Sequence, residues 1–201
     1  MKLGNNIKNN FIVKGHTIKQ YKMDPIKKEF ADEIFLALKD FHSLTPIQQD
    51  MVRRSLSKIG LGIGNKKIRF VQKISEKAYS FYKSNPNAHF CNEHMVPKAM
   101  YIIEPLINKA LHNKGLSKQD VYDIVEKYWF IAFITDDENK RLPTRTKMPS
   151  GWNGQDVFAR YFNTGIKLLD FDDNLRDQLG VRSVQEVANE IQESITKGCM
   201  I

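Results

Sequence analysis

Residues 128–139 are Tyr-Trp-Phe-Ile-Ala-Phe-Ile-Thr-Asp-Asp-Glu-Asn, and this stretch decides the fold. Its first seven residues are mostly aromatic or β-branched, which predicts a buried strand. Thr135 then stands where a helix would need its N-cap. The acidic residues 136–138 suit a first helical turn because they complement the positive end of the helix dipole. The stretch therefore predicts a strand that leads directly into a helix.

A second extended segment lies upstream, at residues 89–94, after the helix-breaking Ser-Asn-Pro-Asn of residues 84–87. It ends in Glu93 and His94, and Pro97 then turns the chain. A carboxylate can bind a divalent cation, and a histidine with its ordinary pKa of about 6.5 can deprotonate water. Neighbouring side chains diverge along a strand. At the end of the strand, however, we expect Glu93 to bind a metal while His94 faces the attacking water.

The segment Glu93-His94-Met95-Val96-Pro97 resembles the beginning of the ββα-metal core of the His-Asn-His (HNH) endonucleases. The resemblance implies that His94 is the catalytic general base and that Glu93 binds the metal. Oxygen ligands of this kind favour Mg²⁺ or Mn²⁺. The remaining parts that the resemblance implies are a second strand at residues 130–134, a helix at residues 136–142, and a final metal ligand at Asn139, with Glu138 as its nearest rival.

The charge of the chain is strongly positive and unevenly distributed. The 201 residues carry a formal net charge of +8, with lysines concentrated in the first thirty residues and a second basic stretch at residues 53–73. This asymmetry favours a polyanionic partner for the first half of the chain. Lys66 and Lys67 follow a glycine loop and are candidates for nucleic-acid contacts. The loop itself is explained more simply as a helix stop followed by a turn.

A basic loop at residues 143–154 comes directly after the predicted metal-binding helix. Arg145 and Lys147 lie in this loop, so their charges would be close to a phosphate in the site. Trp152 offers a ring on which a base could stack, and Arg160 is a further candidate for a phosphate contact. The competing interpretation is that Trp152 covers the core and that Arg160 pairs with Asp156 one helical turn away.

The complete pattern predicts an α+β fold that is mostly helical, with the small ββα-metal core and a short N-terminal β-hairpin around Gly15. Apolar residues at helical spacing, together with capping residues, mark the helix starts. Helices are expected to begin near Pro25, Pro46, Lys67, Lys98, Lys118, Asp136, Asp156 and Val184.

The length fits one domain, residues 1–201. We divide it into a basic helical DNA-binding part (1–87), the ββα-metal core (88–142), and a basic loop with C-terminal helices (143–201). The two cysteines, Cys91 and Cys199, do not form a disulfide framework. No apolar run approaches the roughly 20 residues of a membrane helix, and the first residues lack the apolar core of a signal peptide. We therefore expect a cytoplasmic protein without a membrane partner.

These features favour a metal-dependent endonuclease that hydrolyses phosphodiester bonds of double-stranded DNA, of the restriction or phage type. A two-fold homodimer would suit a palindromic site. The alternative is a non-catalytic DNA- or RNA-binding regulator or inhibitor, in which the helices between Asp24 and Ile59 form a helix-turn-helix pair and Glu93 and His94 are structural. A third, weaker alternative is a scaffold protein whose charge keeps it in solution.

Overall fold

A computed structural model of the protein describes residues 12–13, 16–17, 23, 25–59, 71–112 and 115–181. Within these residues the fold is α+β, as the sequence predicts, with seven α-helices around a four-stranded mixed sheet. A 3₁₀ turn at Phe41–Ser43 links the first two helices, and a π-helical turn at Ala99–Ile103 leads into the fourth. The helices are α1 (Pro25–Leu38), α2 (Pro46–Lys58), α3 (Glu76–Ser84), α4 (Glu104–Leu111), α5 (Lys118–Tyr128), α6 (Asp136–Arg141) and α7 (Asp173–Gln178). The strands are β1 (Ile12–Val13), β2 (His16–Thr17), β3 (Lys73–Ser75), β4 (Phe90–His94), β5 (Ile131–Thr135) and β6 (Leu168–Asp170).

The four-stranded sheet has the order β4-β5-β3-β6, and β1 pairs with β2 in a separate two-stranded sheet. β5 lies parallel to β3 and antiparallel to β4. At one end of the β4-β5 pair His94 faces Ile131, and at the other end Phe90 faces Thr135, which caps α6. His94 and the start of α6 are thus separated by four strand residues, which is about 13 Å.

The sheet separates two apolar cores, because successive side chains of a strand point to opposite faces. On one face, Ile131 and Phe133 of β5 join the larger core, which is built mainly by α1, α4 and α5. On the other face, Ala132 and Ile134 join a smaller core that includes Tyr161. The same alternation applies to β4, so the side chains of Glu93 and His94 project to different faces.

Local capping bonds fix several of the helix starts that the sequence predicts. α2, α5 and α6 each begin with a capping box, in which the cap and the third helical residue bond to each other's backbone. α1 and α2 both begin with a proline, whose missing N–H has no helical partner at that position. In the described ranges, no helix combines the length and apolar character needed to cross a membrane.

Two predicted helices are wrong in the described residues. In place of one helix over residues 67–82, β3 comes first and Ser75 then caps α3. The helix predicted from Asp156 is absent, and residues 157–165 form turns. β6 and α7 were not predicted. The helix predicted after Ser183 lies outside the described residues.

Candidate functional site

A cavity of about 510 Å³ lies beside the end of β4. This volume falls within the roughly 300–1,000 Å³ that is usual for small-ligand sites. Its wall includes Glu93 and His94 from β4, Lys98 and Met100 from the segment that follows, and Arg145 from the basic loop. The fold therefore brings three of the predicted site residues, Glu93, His94 and Arg145, around one cavity.

His94 contributes to this wall, but its ring nitrogens do not reach solvent. The residue is partly exposed, whereas both nitrogens are buried and have no hydrogen-bond partner. The ring packs edge-to-face on Trp129, with 5.0 Å between the ring centroids. Burial lowers the pKa of His94 to about 3, and the charges of Lys98 and Arg160 act in the same direction. This arrangement does not support the predicted role of His94 as a general base, because a ring with buried nitrogens cannot take a proton from water in the cavity.

Glu93 is engaged by a buried arginine. Nη1 of Arg160 lies 2.6 Å from Oε1 of Glu93 and donates a second hydrogen bond to the His94 carbonyl. Nε of the same arginine donates to the Thr144 carbonyl at 2.9 Å. Burial raises the pKa of Glu93, and the charges of Arg160 and Arg145 oppose that rise. The sequence analysis offered two roles for Arg160, a phosphate contact and a pair with Asp156. In the structure Arg160 instead ties the basic loop to β4.

The other predicted metal ligands have different partners. Glu138 is only 2% exposed, and its Oε2 accepts hydrogen bonds from the Thr135 amide, the Thr135 hydroxyl and the Ser75 hydroxyl. The amide of Asn139 donates to the sulfur of Cys91 at 3.4 Å. Among the residues that the structure describes, no three His, Cys, Asp or Glu side chains form a group that could hold a metal ion. In this arrangement the predicted donors do not fit a shared Mg²⁺ or Mn²⁺ site.

The basic loop is anchored by aromatic side chains, while its cations stay exposed. Trp152 is half-buried, and its ring lies 5.1 Å from that of Tyr101 and 5.7 Å from that of Tyr128. Its Nε1 donates to the Asp156 carbonyl. The predicted role of Trp152 in covering the protein interior therefore fits its contacts better than base stacking does. Arg145 and Lys147 are both exposed. Lys66 and Lys67 lie outside the described residues.

Lys98 is a residue of the cavity wall that sequence reasoning missed. Its Nζ donates to the carbonyls of Ser57, Ile59 and Leu56 at 2.7, 2.9 and 3.3 Å, and so satisfies the C-terminal end of α2. Burial lowers the pKa of Lys98 to about 8. The available signal in the sequence was a lysine at the predicted start of a helix, where a cation opposes the helix dipole.

A wider cavity of about 760 Å³ lies between α3 and the start of α6. Its ionic side chains are already paired. His89 Nδ1 lies 2.7 Å from Asp136 Oδ2, and Lys77 Nζ lies 3.6 Å from Asp137 Oδ2. The cavity beside β4 is the stronger candidate, because it is lined by His94, whose ring nitrogens have no hydrogen-bond partner, and by the exposed cation of Arg145.

No protein-family model, curated protein or solved structure matches the chain. The resemblance to the HNH endonucleases therefore rests on the short motif at residues 93–97 and on the strand and helix that end near Asn139.

The burial of His94 predicts a specific acid sensitivity. Because the pKa of His94 is about 3 in the folded protein and about 6.5 in an unfolded chain, the unfolded state binds the proton first. The contribution of neutral His94 to the free energy of unfolding is therefore fully present above about pH 6.5 and is lost as the pH falls toward 3. Between pH 7 and pH 5, the free energy of unfolding of the wild-type protein should fall by about 2 kcal/mol more than that of His94→Gln. Urea unfolding at both values measures the difference. His42→Gln, which removes an exposed histidine, is the control and should behave as the wild type does.

Proposed function

We propose that the protein binds nucleic acid at the cavity beside β4 through the exposed cation of Arg145. The charges around the cavity support this proposal. Glu93 is paired with Arg160, and Glu104 accepts a hydrogen bond from Arg53 at 2.8 Å. Within the described part of the chain, Arg145 has no carboxylate within 4.0 Å. The carboxylates of the wall are thus neutralised, and Arg145 leaves the rim positive.

A phosphodiester backbone is the polyanion that best fits such a rim. The guanidinium of an arginine can donate two parallel hydrogen bonds to a phosphate. Lys147 is exposed two positions further along the same loop, and the whole chain carries a net charge of +8. Each phosphate that is neutralised releases condensed counterions, so binding should weaken steeply as salt is added.

We predict that Arg145→Ala weakens the binding of a labelled DNA strand about tenfold, because one charge-assisted contact contributes about 1.5 kcal/mol or more. The slope of log affinity against log salt should also decrease by about one. Fluorescence anisotropy over a salt series measures both quantities. Arg145→Lys keeps the charge and should retain most of the slope. Lys83→Ala removes an exposed cation on α3 that does not line the cavity, so it should weaken DNA binding less than Arg145→Ala does. An equal effect of Lys83→Ala would mean that binding follows overall charge and not this cavity.

Phosphodiester hydrolysis is the second candidate function, and one observation favours it. Glu93 and His94, which the HNH resemblance marks, line the same cavity as Arg145, and β4, β5 and α6 follow in the order that the resemblance implies. Hydrolysis would need Glu93 to be released from Arg160 and the nitrogens of His94 to become accessible.

Incubation of plasmid DNA with Mg²⁺ or Mn²⁺ distinguishes the two candidates. Metal-dependent cutting that is lost in His94→Ala supports the nuclease. Salt-sensitive binding without cutting supports the non-catalytic regulator or inhibitor. Cutting that survives in His94→Ala would place the catalytic residues elsewhere in the chain.

A further inference from the structure

We propose that the cavity holds one unstacked nucleotide of a nucleic-acid strand, with its base inside and its phosphate at Arg145. This inference rests on the proposed function and adds to it the unit that is recognised. Three features of the cavity support this inference: its size and apolar wall, the imidazole of His94 without a hydrogen-bond partner, and the position of Arg145, which forms no ion pair with a described carboxylate.

The first feature is the size and lining of the cavity. A volume of about 510 Å³ can enclose a small ligand but not a duplex. A base from a strand can enter only if it is unstacked, which is inexpensive in a single strand and costs a few kcal/mol in a duplex. Pro97 and Met100 supply apolar surface to the wall, and Met100 is 41% exposed. A methionine side chain is flexible and polarisable, and its sulfur makes favourable contacts with aromatic rings.

The second feature is the imidazole of His94. Each buried polar atom without a hydrogen bond is costly, and such atoms are rare in folded proteins. Both ring nitrogens of His94 are in this state, although the residue contributes to the cavity wall. A half-turn about the Cβ–Cγ bond exchanges the nitrogens with ring carbons and leaves the plane of the ring on Trp129 unchanged. We infer that this turn presents a nitrogen to the edge of a bound base, which can donate or accept the missing hydrogen bond.

The third feature is the position of positive charge. Arg160 and Arg53 are already engaged with Glu93 and Glu104, whereas Arg145 is exposed on the basic loop. The adjacent Thr144 carbonyl is held by Arg160, so the backbone beside Arg145 is fixed relative to β4. A base against the apolar wall would then have its phosphate within reach of the Arg145 guanidinium, which extends from this fixed backbone.

Calorimetric titration of the full chain with three probes tests the inference. The probes are 2′-deoxyadenosine 5′-monophosphate, 2′-deoxyadenosine and inorganic phosphate. We expect the monophosphate to bind at least tenfold more tightly than either of its halves. Arg145→Ala should weaken the monophosphate about tenfold and leave the nucleoside unchanged, and His94→Phe should weaken both. Lys83→Ala is the control, because it removes an exposed cation of α3 that does not line the cavity, and it should leave the affinity for the monophosphate unchanged.

Nitrogen NMR of the wild-type His94 ring gives a readout that does not depend on a variant that folds. Its resonances should shift with the monophosphate and the nucleoside but not with phosphate alone. A DNA strand should also bind more tightly than a duplex of equal length. Equal binding of phosphate and monophosphate, or binding of DNA without any shift at His94, would overturn this inference and leave the proposed function standing. Binding of the monophosphate without binding of any strand would instead refute the proposed function.

Discussion

Replacement of Arg160 by methionine is expected to lower the free energy of unfolding by about 3–5 kcal/mol, toward the lower end of that range. The Arg160 side chain is fully buried and donates to Glu93, to the His94 carbonyl and to the Thr144 carbonyl. Methionine fills similar space but has no donor. The variant therefore leaves the Glu93 carboxylate, whose side chain is only 21% exposed, without its cation. Urea unfolding at neutral pH measures the loss, and an unchanged m-value would show that the unfolded state is the same.

Arg54→Met is the matched control for this prediction, because it also removes an arginine from an ion pair but at the protein surface. The Arg54 side chain is 78% exposed, and its Nη2 lies 2.8 Å from Oδ2 of Asp50, whose side chain is itself 57% exposed, so its replacement should cost less than about 1 kcal/mol. Adding Glu93→Gln to Arg160→Met removes the uncompensated charge and should recover part of the stability. Equal losses for Arg160→Met and Arg54→Met would show that the pair with Glu93 does not hold the basic loop to β4.

The fold was predictable where its determinants are local. The step from β5 into α6 follows from an apolar run, the cap Thr135 and the acidic first turn, and these signals all lie within twelve residues. β3 was not predictable in this way. Ile74 has the spacing of a helical apolar residue, but it is buried because β3 pairs with β5 nearly sixty positions away. Pairing over such separations leaves no periodic signal in a segment of three residues.

The candidate site was predictable as a location but not as an arrangement. The motif at Glu93 and His94 falls at the end of β4, and both residues line the cavity. The side chains diverge because the strand alternation continues to His94. The partner of Arg160 could not be read locally, since the helix that would have placed it beside Asp156 does not form and Glu93 lies 67 positions away. Charge pairing in the interior is decided by tertiary structure.

Trp129→Ala should be as damaging as the loss of Arg160, with an expected decrease of about 3–5 kcal/mol in the free energy of unfolding. Trp129 has no exposed surface and connects three parts of the fold. Its ring lies 5.0 Å from the Phe30 ring of α1 and 5.0 Å from the His94 ring of β4, and Nζ of Lys98 lies 5.6 Å from its centroid. Alanine would leave a cavity between these groups. Urea unfolding of the variant against wild type measures the loss.

Two further variants separate the packing of Trp129 from its chemistry. Trp129→Phe keeps an aromatic ring and removes the buried Nε1, which has no hydrogen-bond partner, so its cost should be below about 1.5 kcal/mol. Trp152→Ala removes the other tryptophan, which is half-buried on the loop, and should cost less than Trp129→Ala.

Trp129→Ala also tests what keeps the His94 ring buried beside the cavity at the end of β4. Because Trp129 packs against the His94 ring, Trp129→Ala should admit water to the ring nitrogens and raise the pKa of His94 from about 3 toward its ordinary value. An NMR titration in which that pKa does not change would mean that the burial of His94 does not depend on Trp129.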